Sequence, residues 1–201
     1  MTTKKIHHPA FIAAPLLVLA YGVFRIVDGF DGERGPGPAW TIGHLAFVGA
    51  LVLFIGIFRH MRGLIGPKAR ITAVVATLGA VALIGQFSVD LVAGFMASDH
   101  ATMAGISREI RTLPGVSALF YDLGPYLFYL GQLVLVVQLA MGRHVRLWTP
   151  LLVLADLAMP FIDKDLIPVG ATLLLISFTP LALASRAAKS SGPVTPAPAR
   201  V

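Results

Sequence analysis

The stretch from residue 71 to residue 97 reads ITAVVATLGAVALIGQFSVDLVAGFMA, and Asp90 is its one charged residue. A helix rises about 1.5 Å per residue, so roughly 20 apolar residues cross the 30 Å or so of hydrocarbon in a bilayer. Inside that solvent every backbone polar group must be paired within the protein, which a helix achieves by itself. The stretch therefore predicts a transmembrane helix.

Two more apolar blocks precede this stretch and three follow it, and turns rich in Gly and Pro separate them. Apolar residues form 56% of the chain and charged residues 13%, which leaves too little polar surface for a soluble domain. We predict one all-α domain over residues 1–185, a polytopic bundle of six transmembrane helices, followed by a Pro- and Ala-rich tail at 186–201 that is disordered. The predicted spans are 10–27, 40–58, 71–97, 116–141, 147–159 and 166–184.

The distribution of Lys and Arg predicts the orientation of these spans. Eleven of the 16 basic residues fall on the side that carries both termini, and five fall on the other side. Because cytoplasmic loops are enriched in Lys and Arg, both termini are predicted to be cytoplasmic. The same rule explains the net charge of +6 without nucleic acid. The apolar blocks and the Ala-, Val-, Leu-, Gly- and Arg-rich composition predict a multi-pass protein of a bacterial inner or plasma membrane.

The long connection at 98–115 is predicted to hold a short helix on the outer membrane surface. Its apolar residues recur at helical spacing, and Pro114 marks the end of the pattern. An ordinary amphipathic loop helix and a lid over the bundle are both compatible with this pattern. The apolar residues are Met103, Ile106, Ile110 and Leu113.

All ten carboxylates fall on the predicted outer side, and they divide by their place in the helices. Asp122 and Asp165 stand at or just before helix starts, where acids cap free N–H groups, so capping is their predicted role. Asp28, Asp90 and Asp156 lie near helix C-terminal ends, where the helix dipole disfavours an anion. Capping cannot account for these three.

Asp90 is placed about 10 Å inside the outer end of its span, where a charge costs roughly 2.5–3.5 kcal/mol on insertion scales. It is therefore expected to face the bundle interior, and Asp156 is placed similarly, one turn before Pro160. His44 lies one turn into the second span. We predict Asp90, Asp156 and His44 as catalytic residues; the alternative is that each forms a structural hydrogen bond between helices.

Further polar and aromatic residues at the same depth are predicted to bind substrate. Tyr21, Arg25 and Asp28 share one stripe of the first helix, although Arg25 could instead extend outward and pair with Asp28. Aromatic belts at the membrane surface are the alternative for the aromatic members. The predicted set is Tyr21, Arg25, Asp28, Trp40, Gln86, Phe87, Tyr121, Asp122 and Tyr126.

The absence of cysteine excludes thiolate catalysis, and no His pair has metal-ligand spacing, so neither a metal nor a cofactor is predicted. A carboxylic acid in an apolar pocket can stay protonated, and aromatic faces stabilise a developing cation. These features favour an intramembrane enzyme that rearranges a lipophilic, isoprenoid-like substrate in a pocket open to the outer leaflet.

In general character the spans resemble the small membrane-bound terpene cyclases of meroterpenoid pathways, which implies cyclisation or isomerisation. The chain is also similar in composition to multi-pass membrane proteins of high-GC bacteria. Two alternatives stay open: a proton- or cation-coupled carrier that uses the intramembrane acids, and a non-catalytic membrane subunit. The expected partners are a lipophilic small molecule or lipid and the bilayer, and an oligomer is compatible with these expectations. For a carrier, a dimer could supply what one chain lacks.

Overall fold

The computed structural model describes residues 9–190, with side chains through residue 183. This part of the chain is all α, as predicted. Short helical turns occupy Pro67–Ala69, Ser117–Leu123 (a π-helix) and Lys164–Leu166. Seven α-helices make up most of the rest: α1 (Ala10–Asp28), α2 (Pro38–Ile65), α3 (Arg70–Met96), α4 (His100–Thr112), α5 (Gly124–Met141), α6 (Thr149–Ile162) and α7 (Ile167–Ser190).

Five helical segments within the described residues are long and apolar enough to cross a membrane. They contain α1, α2, α3, α5 and the first part of α7. The sixth predicted span corresponds to α6, which is apolar but only 14 residues long. At about 1.5 Å per residue it is shorter than the hydrocarbon core of a bilayer. The fold is that of a membrane-embedded helical protein.

Six helices form a ring in the order α1, α2, α3, α5, α6 and α7, and α7 packs against α1. The contact between α5 and α6 is the least extensive around this ring. All ten acidic residues lie toward one end of the bundle, together with α4, the 29–37 connection and the turn at Lys164–Leu166. We call this the acidic end, and the end that carries the turn at Pro67–Ala69 and the 142–148 connection the basic end.

The half of the bundle nearer the basic end has a closely packed apolar core. Phe11 and Phe178 meet edge to face with ring centroids 5.7 Å apart, and both are at most 2% exposed. Between α3 and α5 the backbones are in direct contact, because a Cβ added at Gly79 would lie 2.2 Å from the backbone nitrogen of Phe128. Only glycine permits this approach.

Several helix limits differ from the predicted spans. The second helix continues to Ile65 rather than ending at 58, since membrane helices extend beyond the hydrocarbon into polar surroundings. Pro160 was predicted to end a span but lies in the last turn of α6, where its missing N–H removes a single hydrogen bond. Residues 186–190 were predicted to belong to the tail but continue α7. Residues 191–201 lie outside the described part.

The predicted capping roles of Asp122 and Asp165 are wrong. Asp122 is exposed within the π-helix Ser117–Leu123, whose N-cap makes no side-chain hydrogen bond. Asp165 accepts two hydrogen bonds of 2.8 Å from Arg34 Nη2, while Asp163 accepts the capping bond from the backbone N–H of Asp165. Arg25 pairs with Asp165 at 3.5 Å, rather than with Asp28.

The predicted helix at 98–115 is present as α4, and an acid does cap it. Asp99 Oδ1 accepts a 2.8 Å hydrogen bond from the backbone N–H of Thr102. This bond holds the pKa of the Asp99 carboxyl below its usual value. Capping by an acid therefore acts at the start of α4, outside the spans, and not at the two sites where it was predicted.

Candidate functional site

A cavity of about 390 Å³ lies in the acidic half of the bundle. It is enclosed by α1, α2, α3, α5, α6 and α7, and α4 covers part of it. Arg111 and Lys164 line it and are exposed, so the cavity opens at the acidic end. Eight of the predicted site residues line it together: Asp90, Asp156, His44, Tyr21, Arg25, Trp40, Gln86 and Phe87.

Four other predicted site residues do not line this cavity. Asp28 lines two other pockets beside the 29–37 connection, one small and one open to the surface, and Asp122 is exposed. Tyr126 is 56% exposed and stacks on Phe161 with ring centroids 6.5 Å apart. Tyr121 is also outside the lining, but its hydroxyl reaches Asp90. The rotation of α5 explains Tyr126, because the cavity-lining positions of α5 lie on a different face of that helix: Pro125, Phe128, Tyr129 and Gln132.

Asp90 is held by a partner on another helix. The hydroxyl of Tyr121 donates a 2.9 Å hydrogen bond to Asp90 Oδ1. The guanidinium carbon of Arg111, on α4, lies 3.9 Å from the centroid of the Tyr121 ring, a cation–π contact. The carboxyl of Asp90 is thus fixed in position by the π-helix and α4, at the mouth of the cavity.

Asp156 is placed differently. It is 9% exposed, and among the described residues no side chain or backbone N–H donates a hydrogen bond to its carboxyl. Its position depends on close packing between α6 and α7, since a Cβ added at Gly170 would lie 2.7 Å from Asp156 Oδ1. A buried carboxyl without a protein hydrogen-bond partner can give a proton to a bound molecule without first breaking a protein hydrogen bond.

Aromatic rings form one wall of the cavity. The His44 ring stacks on Trp40 at a centroid distance of 3.6 Å, and His44 Nδ1 lies 2.8 Å from the Trp40 carbonyl oxygen. Because a carbonyl only accepts, Nδ1 carries the hydrogen of this bond, and in the neutral ring Nε2 is a free acceptor. Tyr21, Phe47 and Phe87 complete the wall, with the Phe47 and Phe87 centroids 4.5 Å apart.

The sequence interpretation missed several lining residues. Gln132 is 1% exposed, and neither its Nε2 nor its Oε1 has a hydrogen-bond partner among the described residues. The sequence did contain a signal for Gln132, because a polar amide is unusual in an apolar membrane helix. On α4 three residues at every fourth position share one face and line the cavity: Met103, Ser107 and Arg111. The search for apolar residues at helical spacing did not find this face, because two of the three are polar.

The donor set of the cavity suits hydrogen bonding and proton transfer. Among the described residues, no three His, Asp or Glu side chains are grouped so as to hold a metal ion. No protein family, curated protein or solved structure matches this chain. The resemblance to membrane-bound terpene cyclases therefore has no support from relatives, and function has to be argued from the cavity itself.

Proposed function

We propose that this chain is an intramembrane enzyme that uses a buried aspartic acid to protonate a lipophilic, isoprenoid-like substrate and so to isomerise or cyclise it. The observation that carries the proposal is the cavity lined both by Asp90 and Asp156 and by an aromatic wall. Acids, an aromatic surface and a basic nitrogen in one apolar enclosure are the groups that carbocation chemistry requires.

The proposal includes an orientation in the membrane. Six crossings, with α6 as a short one, would place both termini in the cytoplasm and the acidic end outside. The basic end supports this orientation, since Arg59, Arg62, Lys68 and Arg70 cluster there. A reporter that works only in the cytoplasm should be active at the C-terminus and inactive when it is inserted within residues 101–112. The opposite pattern would contradict the orientation.

In the proposed reaction Asp156 is the acid. Its O–H proton and the π-electron pair of a substrate double bond form a new C–H bond, which leaves a carbocation on the neighbouring carbon. The faces of Phe87 and Tyr21 stabilise this cation. His44 Nε2 then removes a proton from an adjacent carbon, and the double bond reforms at a new position. Proton loss from the substrate balances proton gain, so no oxidant or co-reactant is consumed. His44 then releases its proton to solvent and Asp156 takes one up through the open mouth of the cavity, which restores both groups for the next turnover.

Asp90 has a supporting role in this scheme. The hydrogen bond from Tyr121 keeps its carboxyl oriented at the cavity, where its negative charge would stabilise the cation electrostatically. Asp90 is also the second candidate for the acid, because both carboxyls line the same enclosure.

The basic half of the bundle favours an enzyme over a carrier. The side chains of Phe58, Phe178 and Leu51 are fully buried there, in an apolar core. A carrier requires access from both sides of the membrane, whereas this cavity opens at one end. His44 Nε2 is a free acceptor nitrogen in the same cavity as the two acids. A non-catalytic subunit would have no need of such a group, which favours the enzyme.

Deuterium uptake tests the proposal even when the product is unidentified. The purified protein in lipid nanodiscs is incubated in D₂O with C20 and C30 polyprenyl alcohols and hydrocarbons, and the recovered lipids are analysed by mass spectrometry. Protonation of carbon should introduce one deuterium per turnover. Asp156→Asn should lower this rate by about 10²–10⁴, the range for general acid catalysis, with unchanged thermal unfolding. Asp122→Asn, exposed and outside the cavity, is the matched control.

Three other results would contradict part of the proposal. Full activity in Asp156→Asn would exclude Asp156 as the acid, and Asp90→Asn would then be tested in the same way. Loss of folding in both variants would favour a structural role for the acids. Absence of deuterium uptake, together with proton flux into liposomes that depends on Asp156, would favour the carrier.

A further inference from the structure

A buried amide closes the inner end of the cavity. Gln132 lies eight residues into α5, and the π-helix Ser117–Leu123 precedes α5 in the same span, so Gln132 is more than about 12 Å along that span from the acidic end. Two lining residues at a similar distance from the acidic ends of their own helices are apolar: Phe54 and Leu83. The amide is 1% exposed, and both of its polar atoms lack a hydrogen-bond partner among the described residues.

This arrangement is unusual for a buried amide, because buried polar groups in native proteins are generally hydrogen-bonded. A second amide on the same helix gives a comparison. Gln138, outside the cavity, donates from Nε2 to Thr72 Oγ1 at 3.3 Å. Gln138 Oε1, like Gln132 Oε1, has no partner among the described residues, so the two amides differ at the nitrogen. The protein supplies a partner to the amide nitrogen of Gln138 and none to that of Gln132, which lines a space large enough for a ligand.

The charges around the cavity limit what Gln132 can bind. The cationic side chains of the lining are Arg25, Arg111 and Lys164, all toward the acidic end. None lies at the depth of Gln132, so a phosphate or diphosphate head group would be buried there without a counter-ion, at high cost. An uncharged group is required. To satisfy both the N–H and the C=O of the amide, it must accept and donate at once, as a hydroxyl does.

We infer that Gln132 binds the hydroxyl end of a lipophilic alcohol, which enters the cavity hydroxyl first while its hydrocarbon chain extends past Asp156 toward the mouth. This inference rests on the proposed function and specifies its substrate class as a free isoprenoid alcohol, not its diphosphate ester. Gln86, whose Oε1 also lacks a partner and which lines the cavity nearer the mouth, can hydrogen-bond polar groups along the chain.

Equilibrium binding of three probes with the same C20 chain tests the inference: geranylgeraniol, its methyl ether and geranylgeranyl diphosphate. Binding is measured in nanodiscs with the full chain carrying Asp156→Asn, so that turnover does not interfere. We expect the alcohol to bind tightest. Adding Gln132→Leu should weaken the alcohol roughly 10- to 100-fold, the effect of two neutral hydrogen bonds, and change the ether by less. Gln138→Leu is the matched control and should leave all three affinities unchanged.

An apolar residue of similar size in a buried position should fold, and Gln132→Met is a second variant with the same length of side chain. The inference is overturned if both Gln132 variants bind the alcohol as tightly as the background, if the diphosphate binds tighter than the alcohol, or if none of the probes binds. Binding does not involve proton transfer. Alcohol affinity that depends on Gln132, without deuterium uptake by the wild type, would therefore overturn the enzyme proposal and leave the alcohol site standing.

Discussion

Near the basic end, Phe58, Phe178 and Ile57 are fully buried in a core of apolar side chains, whereas near the acidic end Asp156 and Gln132 are buried beside a cavity of about 390 Å³. The same six helices build both halves. In the first half most buried side chains are apolar and pack against one another, although Gln138 Oε1 has no hydrogen-bond partner among the described residues. In the second half, three buried polar atoms around the cavity have no hydrogen-bond partner among the described residues: Gln86 Oε1, Gln132 Nε2 and Gln132 Oε1.

The difference indicates a division of labour along the bundle axis. Close packing of apolar side chains stabilises helices in lipid, where no hydrophobic effect drives them together. Unpartnered buried polar groups reduce stability and are tolerated where they serve a function. We therefore expect substitutions in the basic half to act mainly on stability and those in the acidic half mainly on binding and catalysis.

The largest expected effect compares two phenylalanines, one from each half. Phe178→Ala should destabilise the protein by about 3–5 kcal/mol, because it opens a new void in a closed core. Phe87→Ala should destabilise it by less, because the lost ring borders a space that already exists. Reversible unfolding in mixed micelles measures both values. Equal losses of stability would contradict the division into a packed half and an open half.

The second comparison uses the two glutamines of α5 and measures stability without added ligand. Gln132→Leu should raise the free energy of unfolding, by up to about 1–3 kcal/mol, because it replaces an unpartnered buried amide with an apolar side chain. Gln138→Leu should give a smaller gain or a loss, because it also removes the hydrogen bond to Thr72. If Gln132→Leu destabilises the protein, the amide has a structural partner. The expectation that buried polar groups lower the stability of the acidic half would then be wrong.

The smallest expected effect concerns the rim of the acidic half. Arg34→Ala removes the ion pair in which Nη2 alone donates to both carboxylate oxygens of Asp165. Both side chains are more than one-third exposed, so the loss should cost only about 0.2–1 kcal/mol and less at high salt. Arg108→Ala, an exposed position on α4, controls for the loss of charge. A larger cost that salt does not reduce would contradict this and show that the pair is a main structural link between the 29–37 connection and the turn at Lys164–Leu166.

Part of the candidate site could be predicted from sequence because charge is costly in a bilayer. Asp90, Asp156 and His44 were placed together from their depth in three helices, and all three line one cavity. The depth of a residue in the membrane does not tell which way its side chain faces around the helix axis. Tyr126 was predicted to bind substrate but faces outward, while its neighbour Tyr129 faces the cavity.

The sequence by itself determined the fold class and the positions of the long helices along the chain, because crossing hydrocarbon requires continuous apolar stretches with internally paired backbones. It also determined that the acids lie at one end, since position along a helix gives depth directly. The tertiary structure decided how each helix is rotated. Lipid is as apolar as the core, so helices such as α3 and α5 carry apolar residues on all sides and show no stripe that reveals their inner face. Close contacts such as Gly79 against Phe128 set that rotation, and with it the placement of Gln132 in the cavity.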